Sequence, residues 1–125
     1  VLMDAIKGSG HEAKVKIGTD VAASEFYKDG VYDLDFKNPQ SGPEMKKTGA
    51  ELCSYYKAWF DRYPFVSIED PFDQDDWDAY SAFTKSFGKD MQIVGDDLLV
   101  TNVKRIEKAL DCGACNALLL KVNQI

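Results

Sequence analysis

Four short apolar runs in this sequence each end in a charged residue, and that repetition restricts the possible folds more than any other feature. The runs are about Val15 to Asp20, Val66 to Glu69, Ile93 to Asp96 and Ala117 to Lys121. Near-continuous apolar segments of this length are expected where a parallel strand is covered on both faces. The segments between them read as amphipathic helices. Thr48 with Glu51 three residues on has the form of a capping box, and Leu52, Tyr56, Trp59, Phe60 and Tyr63 follow at helical spacing until Pro64. Trp77, Tyr80, Phe83 and Phe87 line a second helix that Gly88 can end. Asn102 can cap a third, with Val103, Ile106 and Leu110 facing inward and Gly113 closing it.

Strands alternating with helices predict an α/β domain built of βαβ units around a parallel sheet. Four units make half of an eight-stranded barrel; an open doubly wound sheet is the competing architecture. No G-x-G-x-x-G follows a strand, so a dinucleotide site is not expected. The opening residues Val1, Leu2, Ala5 and Ile6 read as the tail of a helix, and the chain reads as a piece of something longer. A half-barrel would leave strand edges unpaired near Asp20 and Lys121, which predicts poor stability in isolation. Between Val21 and Lys47 no long helical period exists. Asp29-Gly30 between Phe26-Tyr27 and Val31-Tyr32 predicts a hairpin inside a long loop suited to an active-site flap.

Composition narrows the function classes. Hydrophobic residues at 45% and charged residues at 29% indicate a globular rather than a disordered chain. A net charge of −6 argues against a nucleic-acid partner, which would call for a basic stripe. The longest apolar run, Ala117 to Leu120, is far too short to span a membrane, and no secretory signal is visible. Three cysteines do not form a disulfide framework, so a reducing, cytoplasmic setting is expected. Cys112 and Cys115 sit at a helix end rather than at its start, where a redox pair belongs, and read as packing or surface residues.

The strand ends carry the chemistry. In a parallel barrel all carboxyl ends converge on one face, which would gather Asp20, Glu69 and Asp96. Three crowded carboxylates repel one another unless a cation neutralises them, and an all-oxygen set suits a hard ion such as Mg²⁺. Asp70 and Asp97 read as caps or supporting groups, and Asp73, Asp75, Asp76 and Asp78 as a solvated helix start. Lys121 ends the most apolar strand; desolvation and a neighbouring dication would lower its pKa and make it a proton acceptor at neutral pH.

At these positions the chain resembles the enolase family over essentially its whole length. The resemblance rests on the segments from Ile17 to Phe26, Tyr32 to Pro39, Ser67 to Phe72, Val94 to Leu98 and Leu118 to Ile125, the last being most of the family's signature. It implies part of the carboxy-terminal catalytic barrel domain, spanning residues 1–125, and a Mg²⁺-dependent lyase that interconverts 2-phosphoglycerate and phosphoenolpyruvate. It implies Asp20, Glu69 and Asp96 as metal ligands, Lys121 as the base that takes the carbon-2 proton, and Glu69, Asp96 and Lys121 as substrate contacts. It also implies a homodimer. The family's acid-half glutamates, active-site histidines and second lysine match nothing in this chain, and His11, ahead of the first strand, reads as a surface residue. The 125 residues are therefore expected to be inactive alone. A non-catalytic structural or surface-binding role is the alternative. Val103 and Leu99 stand where the family usually has proline and threonine.

Overall fold

A computed structural model describes residues 1–124. A short helix α1 (Leu2–Gly8) precedes strand β1 (Ile17–Asp20). The long connection that follows holds a small antiparallel sheet of β2 (Tyr27–Lys28), β3 (Val31–Asp33) and β4 (Lys46–Lys47). Then come α2 (Gly49–Phe60), β5 (Phe65–Glu69), α3 (Trp77–Phe87), β6 (Gln92–Gly95), α4 (Val103–Cys112) and β7 (Ala117–Leu118).

The main sheet is parallel throughout, in the order β1-β5-β6-β7. That order decides between the two expected architectures. A doubly wound sheet reverses direction at a switch point. Here each strand is laid beside its predecessor, and α2 contacts α3 and α3 contacts α4, as expected where crossovers of one hand put successive helices on one side. The arrangement is part of a TIM-type (β/α) barrel, open at β1 and β7 rather than closed.

Local chemistry accounts for the helix ends. The Thr48 hydroxyl accepts from the Glu51 amide at 3.3 Å, and Glu51 Oε2 accepts from the Thr48 amide at 2.8 Å, completing the capping box. Replacing Thr48 with alanine should cost about 1 kcal/mol; a denaturation midpoint within error of the parent's would contradict this. Asn102 caps α4 through its side-chain oxygen, and Gly113 ends it at φ 64°, a left-handed conformation suited to glycine. The Asp29-Gly30 turn has φ of 52° and 85°, as a two-residue hairpin of the I′ type requires.

The core lies between the sheet and its helices. Leu52, Tyr56, Ile68, Phe72, Tyr80, Phe83, Ile93 and Leu98 are fully buried there. Two expectations need correction. Val103 and Leu110 are exposed rather than inward; α4 instead turns Ala109 and Ile106 to the core, because only that flank meets α3 and the sheet. Tyr63 lies beyond the end of α2 and is partly exposed. Two of the strands, β1 and β7, are also shorter than their apolar stretches. β1 starts at Ile17 and β7 stops at Leu118, so Lys121 lies three residues past its strand.

Candidate metal centre

Register delivers the acids to one end of the sheet. Asp20 pairs with Glu69, and Glu69 pairs with Val94, two residues before Asp96. Side chains alternate along a strand, so Asp20, Glu69 and Asp96 share the face away from the helices. Carboxylate oxygens of Asp20, Glu69 and Asp70 lie within 4.8 Å of one another, and so do those of Asp70, Asp96 and Asp97. The three expected ligands are thus divided between two neighbouring groups that share Asp70.

Lys121 reaches this end as well. Its Nζ meets Asp96 Oδ2 at 2.5 Å. Its amide donates to the Thr101 hydroxyl at 2.9 Å, which fixes the backbone just past β7. The expectation of a lowered Lys121 pKa rests on desolvation and a neighbouring dication together; the protein's own groups act in the other direction. The hydrogen bond to Asp96 raises it above the ordinary lysine value, outweighing desolvation, with the charges of Asp96, Glu69 and Asp97 adding to the rise. The side chain is partly exposed, and desolvation, which does act to lower the pKa, is outweighed by the bond to Asp96.

The carboxylates show the opposite strain. Glu69 is pushed up by burial first, then by the charges of Asp20, Asp70 and Asp96. Asp97 is raised by burial and by Asp70, Asp96 and Asp20. Asp96 Oδ1 is buried with no hydrogen-bond partner. An unpartnered buried carboxylate oxygen is costly, and here it stands beside acids whose negative charges already oppose one another. A hard cation would satisfy that oxygen and relieve the repulsion, so the donor set fits Mg²⁺.

The backbone is bent into unusual shapes around the same centre. Of the non-glycine residues at positive φ, Ala22 (45°), Asp70 (40°), Val100 (41°) and Thr101 (52°) all lie within five residues after Asp20, Glu69 or Asp96. Such conformations cost about 1–3 kcal/mol each and concentrate at functional sites. Val100 is β-branched, which makes its left-handed backbone especially unfavourable.

Several supporting residues went unread in the sequence. Tyr32, fully buried on β3, donates to Asp76 Oδ2 at 2.7 Å and accepts from the Asp73 amide at 2.9 Å. Ser24 accepts from the Gln74 amide at 2.9 Å. The base of the expected flap is thereby tied to the loop after β5. Arg105 donates to the carbonyls of Leu98 and Gln74 and pairs with Asp75 at 3.0 Å, joining the loops after β6 and β5. Asp75 and Asp76 are therefore bonded partners and not merely a solvated helix start. Apart from the contact of Arg105 with Leu98, seven positions away, these links join residues 30 or more positions apart, and no local pattern announces them. His11 is exposed and precedes β1, at the opposite end of the strands from the acids. Cys112 is exposed and Cys115 half-buried, with burial raising the Cys115 thiol. Ile125, the last residue of the matching signature segment, lies outside the described residues.

Among known proteins, the family described as "Enolase, C-terminal TIM barrel domain" matches residues 1–125. An enolase of Eimeria tenella is 58% identical over 127 aligned positions, which cover 100% of this chain and 28% of that relative. No described helix is long and apolar enough to cross a membrane.

Proposed function

The chain belongs to the enolase C-terminal barrel family, and from that premise we propose that it is a segment of a cytoplasmic, homodimeric, Mg²⁺-dependent lyase. The reaction is the interconversion of 2-phospho-D-glycerate with phosphoenolpyruvate and water in glycolysis. The observation that carries the reading is the approach of Lys121 Nζ to Asp96 beside Glu69, a candidate base against candidate ligands. Asp20, Glu69 and Asp96 would hold the cation through their carboxylates. Bound there, Mg²⁺ supplies Lewis-acid stabilisation of the charge that gathers on the substrate carboxylate.

In this scheme Lys121 takes the proton from carbon 2. It must be neutral to do so, yet the charge of Asp96 holds its proton. With Asp96 engaged as a ligand, that hold weakens and the amine becomes a better acceptor. Glu69 and Asp96 line the substrate side of the site. The proton for the departing carbon-3 hydroxyl is assigned to residues beyond this segment, since Lys121 serves only the carbon-2 side.

Phosphoenolpyruvate formation from 2-phosphoglycerate by the full-length protein, followed by its absorbance, tests the assignment. Turnover is expected with Mg²⁺ and not after chelation; an inactive full-length protein in saturating Mg²⁺ would refute it. The 125 residues alone are expected to give no turnover, and sustained product formation by them would overturn that part. Asp96→Asn should weaken Mg²⁺ binding by about 10-fold or more, because changes beyond the ligands alone cost about 10- to 100-fold. Calorimetric titration reads this directly.

A further inference from the structure

We propose that Asp70 is a positioning residue: its buried carboxylate gathers the backbone of residues 96–98 and so fixes Asp96 relative to Glu69, without itself holding the cation. The proposal rests on the reading of Asp20, Glu69 and Asp96 as the ligands.

Asp70 is only 2% exposed. Its Oδ1 accepts from the amides of Asp96 at 3.1 Å and Leu98 at 3.4 Å and from the Tyr80 hydroxyl at 3.1 Å. Its Oδ2 accepts from the Asp97 amide at 2.8 Å. Its main chain takes part as well. The Asp70 amide donates to the Val94 carbonyl at 3.1 Å, and its carbonyl accepts from the Ala23 amide at 3.1 Å. One residue therefore links the segments that follow Asp20, Glu69 and Asp96.

Proximity alone would make Asp70 a ligand, since it belongs to both groups of close carboxylates. Hydrogen-bond capacity argues otherwise. A carboxylate offers about four lone-pair positions, and the amides and the tyrosine already draw on both oxygens. Asp96 differs in the decisive respect, keeping a buried oxygen with no partner. Asp70 also holds a left-handed backbone that an aspartate adopts at a cost. Outer groups that orient ligands are worth about 10- to 100-fold in metal affinity.

The test uses the full-length protein with Mn²⁺ as the probe. The dissociation constant is measured by electron paramagnetic resonance, the number of bound waters by ¹⁷O-water broadening, and folding by thermal melts. Asp70→Asn sets an amide group against the Asp97 N–H. It is expected to weaken Mn²⁺ binding by about 10- to 100-fold with no added water on the ion. Tyr80→Phe, which removes one donor and keeps the carboxylate, should weaken it by about 3-fold. An Asp70→Asn protein that melts lower but binds Mn²⁺ at parent affinity overturns the proposal, because its role is then only structural. One that gains a bound water also overturns it, since Asp70 is then a ligand. If Asp70→Asn fails to fold, Tyr80→Phe decides: weakened binding supports positioning and unchanged binding overturns it. Asp96→Asn is the reference. Parent affinity in that variant removes the ligand reading on which the proposal rests, whereas loss there with none in Asp70→Asn defeats the positioning role alone.

Discussion

In the full-length lyase proposed above, replacing Lys121 with alanine is expected to lower turnover of 2-phosphoglycerate by about 10²- to 10⁴-fold, the range that one positioned acid–base group contributes, while Mg²⁺ binds at least as tightly. The two halves of this expectation come from one contact. Lys121 Nζ lies against Asp96 Oδ2 and feels the charges of Glu69 and Asp97. Removing the ammonium deletes the candidate base. It also removes a positive charge that competes with a cation for the same carboxylates, so metal affinity should hold or rise. A lysine that merely neutralised the acids would give the reverse: little loss of turnover and a marked change in metal binding. Exchange of the carbon-2 proton with solvent deuterium separates the cases, because it reports that bond without requiring loss of the hydroxyl. Exchange at the parent rate in Lys121→Ala would sink the assignment. Lys121→Arg is a useful companion. It keeps a cation near Asp96, but a guanidinium does not release its proton at neutral pH, so exchange should remain lost.

What could be read in advance follows a physical division. A parallel sheet reports itself locally, since each strand falls in a short, mostly apolar run with a charged residue at or just past its carboxyl end. That is why the runs ending at Asp20, Glu69 and Asp96 located one end of the sheet. Caps are local too: Thr48 with Glu51, and Asn102 ahead of α4, behave as their spacing implies. Helix faces are harder. Val103, Ile106 and Leu110 share an apolar stripe, but which part of it is buried depends on what stands beside α4, and the sequence period carries no record of the neighbour. Strand β4 is only Lys46–Lys47, with no alternation to detect; its pairing with Tyr32 and Asp33 comes from the fold of the loop. Lys121 illustrates the same limit in electrostatics. Its apolar run suggested desolvation, whereas the controlling group is Asp96, brought close only by β6 and β7 lying side by side.

Phe83→Ala is expected to cost about 3–5 kcal/mol, a large share of the roughly 5–15 kcal/mol that holds a typical domain together. Phe83 on α3 is fully buried, and its ring packs against Phe87 at 4.9 Å, Phe72 at 5.4 Å, Tyr56 at 5.9 Å and Phe60 at 6.0 Å between centroids. Most of these contacts are tilted or edge-to-face, an arrangement that adds to simple burial. Truncation would leave a void bounded by rigid rings from both α2 and α3, with little freedom to collapse into it. Phe83→Leu refills much of the volume and should cost clearly less. Denaturant midpoints for the three proteins measure the series, and a loss below about 1 kcal/mol for alanine would contradict the packing account. The consequence reaches the acids through α3. Tyr80 lies one turn before Phe83 and donates to Asp70, while Phe72 stands two residues beyond it. A core that no longer seats α3 against β5 lets Tyr80 draw away from Asp70 and loosens the amides of 96–98. Under conditions where Phe83→Ala remains folded, it should therefore also bind Mn²⁺ more weakly than Phe83→Leu.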